Sequence, residues 1–322
     1  MNMSGPLPVR LVAGVLVILL AAWLVASIYG TLFRTPAEGP DRSLDFSGLA
    51  WLRGDTFLVV HDAKIPDESA RPRAGLMHLP RIPGSVGLSL LDVSWPAGEG
   101  MSHDLESIAR IPGTETFLLV ESGDDGAERQ RIHVAEVSGD EIQITKALSW
   151  PVPVTNVEGS AVARVGSGLV FLYAERAHGS NVTYIAWAPL TLNPLAFGPF
   201  DSVMFRSPDP IGPGARPVSA LEVDSQGRLY VASALDLERD EGPFRSVIWE
   251  AGRVDADEMG IPRVVLFPTP RRLATLDGLK VEGIAVRERP SGEVELFVGT
   301  DDENYGGVIR RLPVRIGPVF AD

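Results

Sequence analysis

A six-residue phrase recurs five times along this chain, and its spacing constrains the fold more than any other feature. Each copy has an apolar second position, a serine or glutamate at the third position and a small residue at the fourth. The third positions lie 59, 52, 61 and 63 residues apart, and they are Ser47, Glu106, Glu158, Ser219 and Glu282. Self-similarity at a nearly constant period predicts a body built from repeated supersecondary units, each packed on its neighbours.

Further β-type runs follow each phrase. The second runs are Phe57–Asp62, Phe117–Ser122, Val170–Glu175, Leu229–Ser233 and Leu296–Asp301. Turn residues separate phrase and second run, as in a hairpin. A third run follows in every unit, and fourth runs are Leu88–Trp95, Glu141–Trp150, Pro199–Phe205 and Arg263–Phe267. The last unit is short, so its outer strand is expected from Val314–Phe320 or from the segment just before Ser43.

Four antiparallel strands in each of five units predict an all-β fold, a five-bladed β-propeller over residues 42–322. A pair of β-sandwiches is the alternative, but it does not explain the period. Residues 35–41 (TPAEGPD) read as a short linker ahead of the propeller.

The N-terminus predicts a single transmembrane helix within residues 1–34. Leu11–Phe33 is 23 residues without a charge. As a helix it spans about 34 Å, enough for a hydrocarbon core of about 30 Å. A cleaved signal peptide is the rival interpretation, with small residues at Val25-Ala26-Ser27. We expect an uncleaved signal anchor in the inner membrane, with the propeller in the periplasm or outside the cell.

The composition limits the classes of partner and of site that can be expected. The formal net charge is −13, and only three of the 29 basic residues are lysines. There is no basic stripe, so nucleic acid is not an expected partner. The chain has no cysteine, which excludes thiolate metal sites and a cysteine nucleophile.

Acidic residues are expected to gather at one face of the disc. In an antiparallel blade, the start of the first strand and the end of the second lie at the same end. An oxygen-only ligand set at this face suits calcium. The candidate calcium ligands are Glu106, Glu158, Glu282, Asp62, Glu175 and Asp301. The alternative is structural, with the phrase glutamates accepting hydrogen bonds from the next blade.

The order Ser-Glu-Glu-Ser-Glu at the third positions resembles the SdiA-regulated family of β-propellers, neighbours of the phytase-like, esterase-like propeller superfamily. The resemblance covers nearly everything after Asp41. It implies a five-bladed propeller outside the inner membrane with a bound calcium ion, and no established reaction. The chain departs from the family pattern at Ala220, where glycine is usual.

Three functions remain open from the sequence. The first is a membrane-tethered, calcium-binding propeller that recognises a small-molecule or protein ligand on its acidic face. The second is a calcium-dependent hydrolase of phosphate esters or lactones, for which no catalytic residue is identified. The third is a structural envelope protein.

Overall fold

The computed structural model describes residues 45–62, 73–79, 87–96, 100–102, 104–123, 130–177 and 179–317. The predicted anchor and linker lie outside these residues. Within the described ranges, no helix is long and apolar enough to cross a membrane.

The strands of the described chain form five sheets, and each sheet contains one phrase strand. The strands are β1 Gly48–Arg53, β2 Thr56–Val60, β3 Ala74–His78, β4 Gly87–Leu91, β5 Val93–Ser94, β6 Leu105–Arg110, β7 Thr116–Glu121, β8 Arg131–Ser138, β9 Glu141–Ser149, β10 Val157–Val165, β11 Gly168–Glu175, β12 Val182–Leu192, β13 Leu195–Phe197, β14 Asp201–Arg206, β15 Ala215–Val223, β16 Arg228–Leu235, β17 Arg245–Ala256, β18 Pro262–Asp277, β19 Val281–Glu288, β20 Val294–Thr300 and β21 Ile309–Ile316. The sheets are β1–β4, β5–β9, β10–β14, β15–β18 and β19–β21, which we number blades 1 to 5.

The inner strands of the five blades close into a ring. Strand β1 contacts β6, β6 contacts β10, β10 contacts β15, β15 contacts β19, and β19 returns to contact β1. The chain is therefore an all-β, five-bladed propeller, and the sandwich alternative is wrong.

The hydrophobic core is divided into five clusters, one at each interface between neighbouring blades. Phe46 and Phe297 pack between blades 1 and 5, for example, and Phe117 packs between blades 1 and 2. Each buried Phe or Leu contributes roughly 1.5–3 kcal/mol through removal from water. Stability is therefore spread around the ring, and closure between blades 5 and 1 uses the same packing as the other interfaces.

Small residues of the phrase allow the inner strands to approach closely. A Cβ added to Gly159 would lie 2.8 Å from the Leu221 backbone nitrogen, and one added to Gly283 would lie 2.8 Å from that of Leu49. Side chains larger than hydrogen would push neighbouring blades apart there.

Two predictions about outer strands need correction. The predicted strand Leu88–Trp95 is divided, because β4 belongs to blade 1 while β5 pairs in parallel with the outer strand of blade 2. In blade 5, residues from Val314 onward do not form a fourth strand in the described chain. They continue β21 and pair with β20 beyond an irregularity around Pro313, which lacks the amide hydrogen that a regular ladder needs. The other predicted source, the segment before Ser43, lies outside the described residues.

Candidate functional site

The phrase glutamates lie in equivalent irregularities of the inner strands. The pairing register shifts between the residues flanking Glu106, Glu158 and Glu282 in three different blades. A bulge leaves one residue out of the ladder and redirects its side chain. The repeat thus places a carboxylate at the same point of blades 2, 3 and 5.

The predicted alignment of strand ends is confirmed by the pairing register. Leu105 is paired with Glu121, Val157 with Glu175, and Val281 with Thr300. The starts of the phrase strands and the ends of the second strands therefore share one mouth of the central channel, which we call the phrase mouth.

Arg216 joins two of the three phrase glutamates. Its Nη1 lies 3.3 Å from Glu158 Oε2 and 3.0 Å from Glu282 Oε1. Its Nη2 donates to Asp236 Oδ2. Burial opposes the guanidinium charge, but Glu158, Glu282 and Asp236 outweigh it and raise the pKa of Arg216; Glu106 acts in the same direction from farther away.

Lys280, the first residue of the fifth phrase, is the second buried cation of this mouth. Its Nζ lies 3.3 Å from Glu282 Oε1 and 2.7 Å from Asp301 Oδ2, and it also pairs with Glu303. Burial disfavours the ammonium ion, but these carboxylates hold the pKa of Lys280 well above its usual value. Burial raises the pKa of Glu282 to about 8, although Lys280 and Arg216 pull it down.

Carboxylates also gather where blade 1 meets blade 5. The Phe46 amide donates to Thr300 O at 3.1 Å, which brings the first phrase against the end of β20. Burial raises the pKa of Asp45 to about 9, and Asp301, Glu303 and Asp62 raise it further while Lys280 lowers it. Asp45 Oδ1 is buried without a hydrogen-bond partner. We call Asp45, Asp62, Asp301 and Glu303 the seam acids.

Local structure explains how two seam acids reach this position. Asp302 is fully buried, and its Oδ1 accepts from the Lys280 amide at 2.7 Å while its Oδ2 accepts from Thr300 Oγ1 at 2.8 Å. A short 3-10 helix, Glu303–Tyr305, follows. Asp302 therefore fixes the turn, and its neighbours Asp301 and Glu303 both reach Lys280.

The two phrase serines have a structural role. Ser47 Oγ donates to Leu105 O at 2.5 Å, and Ser219 Oγ donates to Val281 O at 2.7 Å. Each bond crosses to the inner strand of the next blade. The serines therefore hold blade 1 against blade 2 and blade 4 against blade 5.

Two acids at the ends of second strands lie in other environments. Burial works against the Glu121 charge, but hydrogen bonds from His133, Arg131 and Ser102 lower the pKa of Glu121 to about 2. Glu175 Oε1 accepts from the Thr155 amide at 2.6 Å, and burial raises the pKa of Glu175. Neither acid is among the main charges that shift the pKa of Asp45 or Arg216.

A pocket of about 220 Å³ opens beside the Arg216 network. Its lining includes Arg176, Arg216, Asp236 and Glu238. Arg176 is partly exposed and lies 3.7 Å from Glu158 Oε1. Gly214 forms one wall in a left-handed conformation, φ 76°, and a Cβ there would lie 2.2 Å from Asp236 O, so only glycine fits.

The sequence did not lead to the two arginines of the phrase mouth. Arg216 directly precedes the fourth phrase, and Arg176 directly follows the acid that ends β11. One feature of the sequence could have indicated Arg216. The fourth phrase has Ser219 where three other phrases have glutamate, and an arginine stands just before it. Asp236, which accepts a hydrogen bond from Arg216, was missed because it lies just past the end of β16.

As the side chains stand in the described residues, no three His, Asp or Glu groups are arranged to hold a metal ion. The fit of calcium therefore depends on the chemistry of the donors. Glu158 and Glu282 already face Arg216 and Lys280, so an ion between them would have to displace a protein cation. Asp301 and Glu303 also face Lys280, but the seam acids fit better because they add a buried oxygen on Asp45 that lacks a hydrogen-bond partner.

No family model matches the chain, and no curated protein matches it. Solved structures to which the chain is similar include an exo-1,5-α-L-arabinanase from a bovine ruminal metagenomic library, with 10% identity over 85% of this chain and 95% of that one and a TM-score of 0.48. A GH43 endo-arabinanase from Bacillus licheniformis has 8% identity over 86% and 96% with a TM-score of 0.43. The α-L-arabinofuranosidase PaAbf62A from Podospora anserina has 9% identity over 90% and 96% with a TM-score of 0.46. The five sheets of this chain establish its fold on their own.

Proposed function

We propose that this chain is a membrane-anchored, extracytoplasmic propeller that binds calcium at its phrase mouth and recognises a ligand there without turnover. The resemblance of the phrases to SdiA-regulated propellers agrees with this proposal. The apolar segment Leu11–Phe33 supplies the anchor in the inner membrane, and the propeller lies on the periplasmic side.

The observation that carries the proposal is the excess of acid among the seam acids. Asp301, Glu303 and Asp62 all raise the pKa of Asp45, and Asp301 also raises that of Glu303, whereas Lys280 lowers both. Without further positive charge, such a group keeps protons at neutral pH. Calcium, when bound, supplies two positive charges to carboxylate oxygens.

Asp45, Asp62, Asp301 and Glu303 would hold the ion. This set retains two of the six ligands predicted from sequence, Asp62 and Asp301, and moves the site from the channel axis to the seam. Glu158 and Glu282 then have a different task, because they hold Arg216 in place beside the pocket. Arg176 and Arg216 present guanidinium donors there, which suits a ligand with carbonyl, carboxylate or phosphate oxygens.

Thermal unfolding of the full-length chain with calcium and with a chelator tests the proposal. We expect calcium to raise the melting temperature, because an ion that binds only the folded state stabilises it. Asp301→Asn should abolish the rise, whereas the matched control Glu175→Gln should preserve it. An unchanged melting temperature in the unmodified chain, with no calcium in the purified protein, would refute calcium binding and favour the purely structural role.

One observation favours the hydrolase as a second candidate. Glu282 has a pKa raised to about 8 and faces the same Arg216 nitrogen as Glu158. A protonated carboxyl near a second carboxylate is the arrangement used for general acid and base catalysis. Chelator-sensitive hydrolysis of phosphomonoesters, phytate or lactones that is lost in Glu158→Gln would replace the binding proposal with this one.

A further inference from the structure

The opposite mouth of the channel contains a larger pocket, of about 560 Å³. All five blades contribute the far ends of their inner strands to its wall. One residue from each blade is Trp51, Arg110, Val162, Glu222 and Val286. We call this pocket the far-mouth pocket; none of the six sequence-predicted ligands lines it.

Glu222 breaks the repeat at this pocket. It is the sixth residue of the fourth phrase, and the other four phrases have alanine there. Those alanines, Ala50, Ala109, Ala161 and Ala285, are all buried. The inner strand therefore forms in four blades with an uncharged alanine at this position. A carboxyl at this point adds a desolvation cost that the fold itself does not require.

The Glu222 carboxyl has little compensation from the protein. Its Oε1 accepts from the adjacent Val223 amide at 2.8 Å, and among the described residues it forms no ion pair. Burial raises the pKa of Glu222 to about 8; Asp224 and Glu288 raise it as well, while Arg110 lowers it.

The other acids of the far-mouth pocket have partners. Asp224 accepts from Arg228 Nε at 2.5 Å and from the Tyr230 hydroxyl at 2.8 Å. Glu288 accepts from the Ser225 amide. Asp224 is therefore neutralised by Arg228, whereas Glu222 and Glu288 have backbone amides as their partners and are available to pair with a ligand.

The cations of the pocket are held elsewhere. Arg110 donates to Trp51 O and Thr114 O, each at 3.0 Å, and its guanidinium lies 5.1 Å from the centre of the Trp51 ring. Arg164 is exposed and donates to Pro112 O at 2.9 Å. Neither guanidinium pairs with Glu222, and the lining contains three acids to two bases.

We propose that the far-mouth pocket binds a small organic cation, with the Glu222 carboxylate as its charge partner. A pocket of this volume suits a small molecule. An ion pair formed in such a partly desolvated site is stronger than one on the open surface. The acid majority in the lining disfavours an organic anion.

Calorimetric titration of the full-length chain tests this proposal, with a chelator present so that calcium plays no part. The probes are choline and benzyltrimethylammonium, which keep their charge at every pH, and the neutral choline isostere 3,3-dimethylbutan-1-ol. We expect both cations to bind and the alcohol to bind at least about tenfold more weakly. The cation affinity should rise about tenfold between about pH 6.5 and about pH 9.5, because Glu222 ionises in this interval.

Three variants separate a binding role from a structural one. Glu222→Ala restores the residue of the other phrases, so it should fold at least as stably as the unmodified chain while losing cation binding. If it does not fold, the isosteric Glu222→Gln carries the same expectation for binding. Glu141→Gln, an exposed acid on the outer strand of blade 2, should change nothing. Equal affinity for cation and alcohol, no binding of either cation at millimolar concentration, or full binding in the Glu222 variants would overturn the proposal.

Discussion

The two mouths of the channel differ in which groups compensate the charge of their carboxylates. At the phrase mouth, many acids share a few protein cations, and Arg216 and Lys280 each contact several carboxylates. At the far mouth, Glu222 has no ion pair among the described residues, and the adjacent guanidinium of Arg110 donates to carbonyls and lies over an aromatic ring. The first arrangement organises a site from within the protein, whereas the second leaves charge compensation to a ligand.

The largest effect is expected from removing the cation that the phrase mouth shares. Arg216→Met should lower the free energy of unfolding by about 3–5 kcal/mol, because Glu158, Glu282 and Asp236 would lose a buried partner. Urea denaturation measures this loss. Arg310→Met, at an exposed position of β21, is the matched control and should cost little. Equal stability of the two variants would mean that Arg216 does not hold the network together.

The seam acids predict a dependence of stability on pH. Asp45 has a pKa of about 9 in the folded chain and a usual value of 3.8. Between these values the folded state binds the proton and the unfolded state does not, so stability falls as pH rises from about 4 towards about 9. Melting temperatures measured in chelator should drop by several degrees over this range. The drop should shrink in Asp45→Asn, and a pH-independent melting temperature in the unmodified chain would contradict the assignment.

Glu121, at the same mouth, predicts the opposite dependence of stability on pH. Its pKa of about 2 lies below the usual 4.5, so its contribution to stability is present above about pH 4.5 and is lost as pH falls towards about 2. Glu121→Gln should therefore reduce the loss of stability on acidification and leave the alkaline side unchanged. Unfolding followed by circular dichroism on the acidic and on the alkaline side of neutral pH measures the two effects separately.

A smaller effect is expected from the close approach of inner strands. Gly159→Ala should cost about 1–3 kcal/mol, because its Cβ would meet the backbone of blade 4 at Ala220 and Leu221. The natural Ser107 and Ala220 at the equivalent positions of the second and fourth phrases show that two blades already accommodate a Cβ. Ala220→Gly should accordingly cost less than Gly159→Ala, and the reverse order in thermal melts would contradict the packing argument.

The smallest effect concerns the serine locks. Ser219→Ala removes the hydrogen bond to Val281 O and should cost about 1 kcal/mol. Chemical denaturation resolves a change of this size, and no loss of stability would show that the bond does not contribute to holding blade 4 against blade 5.

The repeat made most of the fold predictable, because its apolar and small positions define the inner strands and their period defines the number of blades. The end of the blade at which acids meet also followed from antiparallel connectivity, as the pairing of Val157 with Glu175 confirms. The pattern could not predict the partners of these acids. Arg216 and Arg176 reach across blades with long side chains, and their targets depend on the curvature of the ring.

Local departures from regular strand structure were also not predictable from the sequence. The acidic segment after β20 resembles a solvated turn, yet Asp302 within it is fully buried and fixes the position of Asp301 and Glu303. The charge of Glu222 was visible as a departure from alanine, but its significance required the far-mouth pocket. Strand β21 continues past Pro313 because the irregularity in its pairing with β20 accommodates the missing amide.

The most direct test of the calcium proposal counts the protons that the seam acids release. Calcium titration of the full-length chain at about pH 7.5, in two buffers with different ionisation enthalpies, gives both the affinity and the proton number. We expect saturable binding with release of about one proton per ion, and we expect Asp45→Asn to bind calcium more weakly and release fewer protons. Absence of a saturable calcium signal, or an unchanged proton release in Asp45→Asn, would contradict the proposal that the seam acids hold the ion.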